Sequence, residues 1–378
     1  MLVALLVSVG VLALNRIGFV GLAETSTFIS RIDFSGLFLH GMLSFLLFAG
    51  ALHIDLSELK RYRLIVAVLA TIGVVIATFA SAGLVWQAAH LLGFSFPYID
   101  ALLFGALIAP TDPVAVLDIL KETTVAKSLR VKIASESLFN DGVGVVLFLA
   151  LLEIVSGRQM PDVRQVSALI AQQALGSIAL GFALGWIACR LLRSVNDYKV
   201  EVLLTLALAA GGYSLAEGVH VSAPITMVIA GLMIGNHGVV FGPSEKTRQH
   251  LDMFWELLDE ILNAVLFILM GLEMLVIDVT APNAALALIA IIAMLVGRFI
   301  SVALPVLAMR PYYRFEKGTI RLLTWGGLRG GISIAMALAL PAGPEKNLIL
   351  EMTYIVVIFS ILFQGTTFRH VARLVLRS

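Results

Sequence analysis

Two aspartates stand in stretches of this chain that are otherwise apolar enough to sit in hydrocarbon. A charge at mid-helix in a bilayer costs about 2.5–3.5 kcal/mol or more, so each is a functional hypothesis by default. Asp112 lies in Ala109-Pro-Thr-Asp-Pro113, in the middle of an apolar run over 101–120. Pro110 and Pro113 each remove a backbone donor, and each ring clashes with the carbonyl four residues back. An unwound stretch frees carbonyl oxygens there, and these, with the Asp112 carboxylate, can coordinate a small cation. Asp112 also suits the N-cap of the helix that follows, and the two roles coexist.

The next apolar run opens Ile133-Ala-Ser-Glu-Ser-Leu-Phe-Asn-Asp-Gly142. On a helix Ser137 and Asp141 share one face, and Glu136 and Asn140 share the adjoining one. Asp141 then lies about 12 Å in from Ile133, again near the middle of a membrane. Glu136 alone also fits an interfacial carboxylate that favours the helix dipole. Two deep acids on consecutive spans read as one shared site.

Two arginines are buried in the same way. Arg298 is expected to pair with Glu136, because a permanent pair with Asp141 would disable Asp141 as an exchangeable carboxylate. Arg329 belongs to Trp325-Gly-Gly-Leu-Arg-Gly-Gly331, where Gly327, Gly330 and their neighbours interrupt any helix. This second broken helix follows the first by seven segments. Two broken helices in opposed orientations are the mark of an inverted-repeat transporter. Other polar residues give weaker signals: His40 and His53 suit packed or interfacial roles, Glu260 and Asn263 suit an access funnel, and Glu273 suits an interface.

The elements that must position these groups follow from composition. The 378 residues are 60% hydrophobic and 13% charged, against about 25% charged in an average globular domain. Such a chain cannot cover itself with polar surface, so it is an all-α polytopic membrane protein. About twelve spans can be read, near 1–14, 34–54, 64–87, 101–120, 133–155, 166–192, 201–217, 221–241, 256–277, 284–309, 318–341 and 348–368. No period-two alternation supports a β-barrel. One alternate set of loops, at 55–63, 118–132, 190–201, 242–255, 310–321 and 369–378, carries nineteen Lys and Arg, the opposite set five. The positive-inside rule makes the first set, and both chain ends, cytoplasmic. Cys189 is the single cysteine, which excludes an intrachain disulfide and a cysteine metal site. No cleavable signal peptide, soluble domain or nucleic-acid-binding segment is expected, so residues 1–378 form a single transmembrane unit.

Ala109-Pro-Thr-Asp-Pro113, Glu136-Ser-Leu-Phe-Asn-Asp-Gly142 and Gly327-Leu-Arg-Gly330 resemble, in the same order, the signature segments of the monovalent cation/proton antiporters of the NhaP and NHE kind. The resemblance covers essentially the whole chain. It implies a thirteen-helix fold of two inverted repeats, with core helices including 101–155 and 284–368 and the remainder forming a dimerisation scaffold. Twelve spans then imply that the family's first helix and part of its second are absent, in agreement with the short opening segment at 1–14.

The resemblance makes Asp141 the principal ion and proton carboxylate, with Asp112, Ser137 and the Thr111 backbone completing a Na⁺ shell. Asn140 stands where electrogenic relatives have a second aspartate, which implies electroneutral exchange. No cofactor is implied beyond the transported Na⁺ or Li⁺ and H⁺. A homodimer in the plasma membrane, serving pH and sodium homeostasis, is the implied setting. Ala49 stands where some relatives carry an acid, with His53 or a water as its substitute. K⁺/H⁺ exchange is the alternative within the family. An intramembrane aspartyl protease, whose dyad shares one proton, and a cation channel are the alternatives outside it, disfavoured by the sequence around both aspartates and by the absence of a filter-like repeat.

Overall fold

The computed structural model describes residues 34–112, 116, 127–156, 163–195, 197–241, 245–273 and 281–377. The expected span at 1–14, Pro113, most of 114–120 and the side chain of Glu273 lie outside the described residues. Within them the chain runs through α1 (Leu37–Leu52) and α2 (Leu56–Leu91), then α3 (Tyr98–Ile108), α4 (Lys127–Ser156), α5 (Val163–Arg193), α6 (Tyr198–Gly218), α7 (Ala223–Phe241) and α8 (Glu245–Glu273). It continues with α9 (Ala281–Met309), α10 (Thr319–Trp325) and α11 (Gly331–Leu338), and ends with α12 (Glu345–Val375). Six helices among the described residues are long and apolar enough to cross a membrane, and α1, α3 and the Ala223–Asn236 part of α7 are shorter apolar helices.

Several expected loops are helical. Residues 56–63, 127–132 and 245–255 continue α2, α4 and α8 past the apolar runs. Hydropathy marks where the hydrocarbon ends, whereas Lys, Arg, Glu and Leu remain good helix formers beyond it. The ends are set by caps instead. Asp55 accepts from the Ser57 amide at 2.8 Å, and Asp197 accepts from the Lys199 amide at 2.9 Å. Each satisfies a donor that the first helical turn leaves open.

Two three-helix units face one another, α2–α3–α4 and α9–α10/α11–α12; α3 stops at Ile108, and the middle member of the second is interrupted between Trp325 and Gly331. Helix α2 packs against α3 and α9, α3 against α4, and α9 against α12. Their shared interior holds Phe104, Leu107, Met294, Val302, Met336 and Val357. A second cluster joins α1, α5, α6, α7 and α8 around Trp255, whose ring lies 4.7 Å from that of Phe48 and whose Nε1 donates to Thr205 Oγ1 at 3.0 Å. Lipid tails are as apolar as these side chains, so close packing and interhelical hydrogen bonds hold such a bundle.

Candidate functional site

Helix α3 stops at Ile108, and Thr111 and Asp112 are non-helical. Helix α10 likewise stops at Trp325, and the chain stays non-helical through Gly330 before α11 begins. The two gaps cross antiparallel. The Asp112 amide donates to the Leu328 carbonyl at 2.8 Å, forming an isolated bridge. Broken helices leave carbonyls without helical partners, and unpaired backbone groups are costly in a dry interior. Arg329 answers this: its Nη1 donates to the carbonyls of Ala109 and Pro110, at 2.6 Å each, while its own amide donates to Ser360 Oγ at 2.8 Å. Sequence places Arg329 only in a broken helix. Its acceptors belong to the other one.

Helix α4 runs beside the first gap. Gly144 permits this, because a Cβ there would overlap the Pro110 ring. One stripe of α4 ties the units together. Asn140 Oδ1 accepts from the Thr111 amide at 3.1 Å, and its Nδ2 donates to Thr111 Oγ1 at 2.8 Å and to Glu136 Oε1 at 3.2 Å. Ser137 Oγ and Thr111 Oγ1 share a hydrogen bond of 2.9 Å. Arg298 meets Glu136 in a two-pronged pair, Nη1 to Oε1 at 2.5 Å and Nη2 to Oε2 at 2.8 Å, and also donates to the Leu323 carbonyl from Nε and Nη2. Such fork-on-carboxylate geometry satisfies both charges where water is absent. Gly327 packs directly on that guanidinium, since a Cβ there would lie 2.5 Å from Arg298 Nε.

Asp112 and Asp141 come from the first gap and from α4. Both line a cavity of about 740 Å³, together with Pro110 and Gly330. Asp141 is 6% exposed. The far wall is α8, which contributes Asp252, Glu256, Asp259, Glu260 and Asn263. These follow the helical repeat and present one face. Glu260 and Asn263 thus line a funnel, and sequence alone misses that Asp252, in what reads as a loop, and Glu256 and Asp259, at the start of the apolar run over 256–277, join them. Thr111, Ser137 and Asn140 do not line the cavity; they bond to one another behind it. Helix α1 contributes Gly50 and His53 to the cavity, whereas Ala49 is buried in the second cluster beside Phe48 and Leu52. An acid at position 49 would point away from Asp112 and Asp141. His40 lies elsewhere, 3.4 Å from Glu217.

A further cluster sits at the Lys/Arg-rich end. Lys132, buried although expected in a loop, donates to Glu316 at 2.8 Å and lies 4.7 Å from the Tyr62 ring centre. Ser128 also donates to Glu316. Burial pushes the Glu316 carboxyl up, but the bonds from Lys132 and Ser128 outweigh it and hold the group below its ordinary value of 4.5.

A family model described as "Sodium/hydrogen exchanger, transmembrane" matches residues 2–374. The chain is 48% identical over 370 residues to the "Na(+)/H(+) antiporter NhaP" of Pseudomonas aeruginosa, covering 97% of this chain and 87% of that protein. It is 36% identical over 300 residues to the "Na(+)/H(+) antiporter NhaH" of Halobacillus dabanensis, covering 78% of this chain and 73% of that protein. Among solved structures, the sodium proton antiporter MjNhaP1 from Methanocaldococcus jannaschii matches with a TM-score of 0.72 at 19% identity, over 99% of this chain and 100% of that one.

Proposed function

The chain belongs to the sodium/hydrogen exchanger family, and from that premise we propose that Asp141 and Asp112 are the carboxylates at which it exchanges Na⁺ for H⁺. It is a secondary transporter and not an enzyme, and a protease reading has no support in the family. The observation that carries the site is that Asp112, in the gap after α3, and Asp141, on α4, open into one cavity walled by acids of α8. Those acids raise the local concentration of cations at the mouth.

In this reading a proton leaves Asp141 for the cavity, and a Na⁺ takes its place between Asp141 and Asp112, with water completing its oxygen shell. One cation replaces one proton, so the charge of the loaded site is unchanged. Thr111, Ser137, Asn140, Glu136, Arg298 and Arg329 hold the two carboxylates in position. The α2–α4 and α9–α12 units then shift against the α1 and α5–α8 scaffold, which exposes the site to the other side. The funnel is cytoplasmic because its mouth shares an end with the Lys/Arg-rich segments. Assembly as a homodimer in the plasma membrane and a role in pH and sodium homeostasis complete the proposal. Li⁺ suits the same oxygens, and Na⁺ is preferred over K⁺ on the strength of the relatives named as Na⁺/H⁺ antiporters.

The test is a cation-driven pH change in proteoliposomes with Na⁺, Li⁺ and K⁺ in parallel. A pH change with Na⁺ or Li⁺ that disappears in Asp141→Asn supports the reading. An unchanged rate in Asp141→Asn sinks it, and a K⁺ response exceeding that for Na⁺ replaces the substrate.

A further inference from the structure

Beside the funnel lies a second, smaller cavity of about 20 Å³, lined by Phe34, Met270, Ile334, Leu338 and other residues. The two cavities share Phe38, Leu266 and Gly331. On α8 the funnel takes residues from Asp252 to Phe267, and the small pocket takes Leu266, Leu269 and Met270. Along α1 the funnel takes residues from Phe38 to His53, just past its end, and the small pocket takes Phe38 and Phe34, just before its start. The small pocket therefore lies beyond the site from the funnel mouth, and the three shared residues form the partition. It is lined by apolar side chains and has room for about one water.

The partition joins the two halves of the molecule. Phe38 and Leu266 belong to the scaffold helices α1 and α8, and Gly331 opens α11 in the facing unit. Phe38 stands in a π-helical turn, Leu37–Met42, an irregularity common at functional positions. The fit at Gly331 is tight: a Cβ there would lie 2.5 Å from Leu266 Cδ1 and Cδ2. The preceding Gly330 is as closely matched to the site, since a Cβ on it would overlap the Asp112 carboxylate. Consecutive glycines thus carry the ion site on one and the partition on the other. Any shift of α11 that moves Asp112 relative to the scaffold also moves Gly331 off Leu266.

We infer that Leu266, seated on Gly331 and backed by Phe38, is the seal that closes the ion site to the side opposite the funnel, and that its release is tied to movement of the site through Gly330-Gly331. The seal deepens the exchange reading proposed above, but its barrier function is measurable without exchange. Leu266→Ala merges the two cavities. In Na⁺-loaded proteoliposomes clamped at a fixed potential with no pH gradient, it should release Na⁺ severalfold faster than the unaltered protein. Release at the unaltered rate, from a variant with an unchanged melting transition, overturns the proposal.

The second arm tests the contact itself. Gly331→Ala drives Leu266 from its seat and should raise the KM for Na⁺ on the funnel side, and adding Leu266→Ala should return it towards the unaltered value. Equal KM in Gly331→Ala and the double variant overturns the proposal, and this arm decides if Leu266→Ala alone fails to fold. Leak through Leu266→Ala in a chain that never exchanges Na⁺ for H⁺ sinks the proposed function and leaves the seal standing.

Discussion

Asn140 grips Thr111 from both ends of its amide, accepting from the Thr111 amide at 3.1 Å and donating to Thr111 Oγ1 at 2.8 Å. Its remaining donor contact goes to Glu136. An asparagine satisfied in this way acts as a bracket between α4 and the gap after α3. Asn140→Asp keeps the acceptor but removes both donor contacts and sets a carboxylate against Glu136. Leaving a buried polar group unsatisfied costs about 1–3 kcal/mol. The melting temperature in detergent should fall in Asn140→Asp and in Asn140→Ala. An unchanged melt in both variants would show that the bracket carries no stability.

Asp141 is the carboxylate with no permanent partner required of it in the exchange cycle. Asp141→Ala should therefore abolish Na⁺-driven pH change while preserving expression, insertion and elution volume. Exchange at the unaltered rate would remove Asp141 from the mechanism.

Glu136 and Arg298 meet through two hydrogen bonds in a buried setting. Removing one partner strands the other charge, at about 3–5 kcal/mol. Glu136→Ala and Arg298→Ala should each lower thermal stability substantially, and the double variant should lose less than the sum of the two. Strict additivity in that cycle would mean that the pair does not couple.

What was legible in the sequence divides along a physical line. Apolar runs, and charges inside them, are properties of the linear chain, so the spans and the two deep aspartates can be read directly. Which charge meets which partner is a property of the fold. Arg329 reaches carbonyls 220 and 219 residues away, beyond any spacing rule. Lys132 and Glu316 are 184 apart and read as two loop charges. Ala49 illustrates a second obstacle: α1 is apolar on nearly every side, so no hydrophobic face fixes its rotation and the residue's direction is hidden. The acidic face of α8 is hidden because it begins at Asp252, before the apolar run read at 256–277, and continues into that run.

The Glu316 carboxyl gives a pH prediction with a definite sign. Its folded value lies below the ordinary 4.5, held there against burial by Lys132 and Ser128. A group depressed by folding contributes stability that is fully present above its unfolded value and is lost as pH falls through the folded one. The cluster therefore stabilises the protein at neutral pH and fails on the acid side of 4.5. Glu316→Gln should lower the melting temperature at pH 7 and narrow its gap to the unaltered protein as the medium is acidified below that value. A gap that stays constant down the acid limb would mean that Glu316 does not contribute through its charge.

The stoichiometry turns on the same asparagine. Asn140 carries no titratable proton near neutral pH, and its amide is committed to Thr111 and Glu136. Glu136 is committed to Arg298. Asp112 and Asp141 open into the funnel on the Gly330 side, whereas Asp252, Glu256, Asp259 and Glu260 line its α8 wall. If one Na⁺ replaces one proton on the Asp112 and Asp141 pair, each half-cycle carries the same charge, and the net charge moved per cycle is zero. A net elementary charge would couple to the membrane potential by about 2.3 kcal/mol per 100 mV, a bias large enough to alter the rate or endpoint visibly. Proteoliposomes clamped at two potentials with K⁺ and valinomycin should therefore give the same Na⁺-driven pH change. A rate or endpoint that shifts systematically with potential would show that a further charge moves with the cation, and the pairing of Asn140 and Glu136 with their neighbours would then have to open during the cycle.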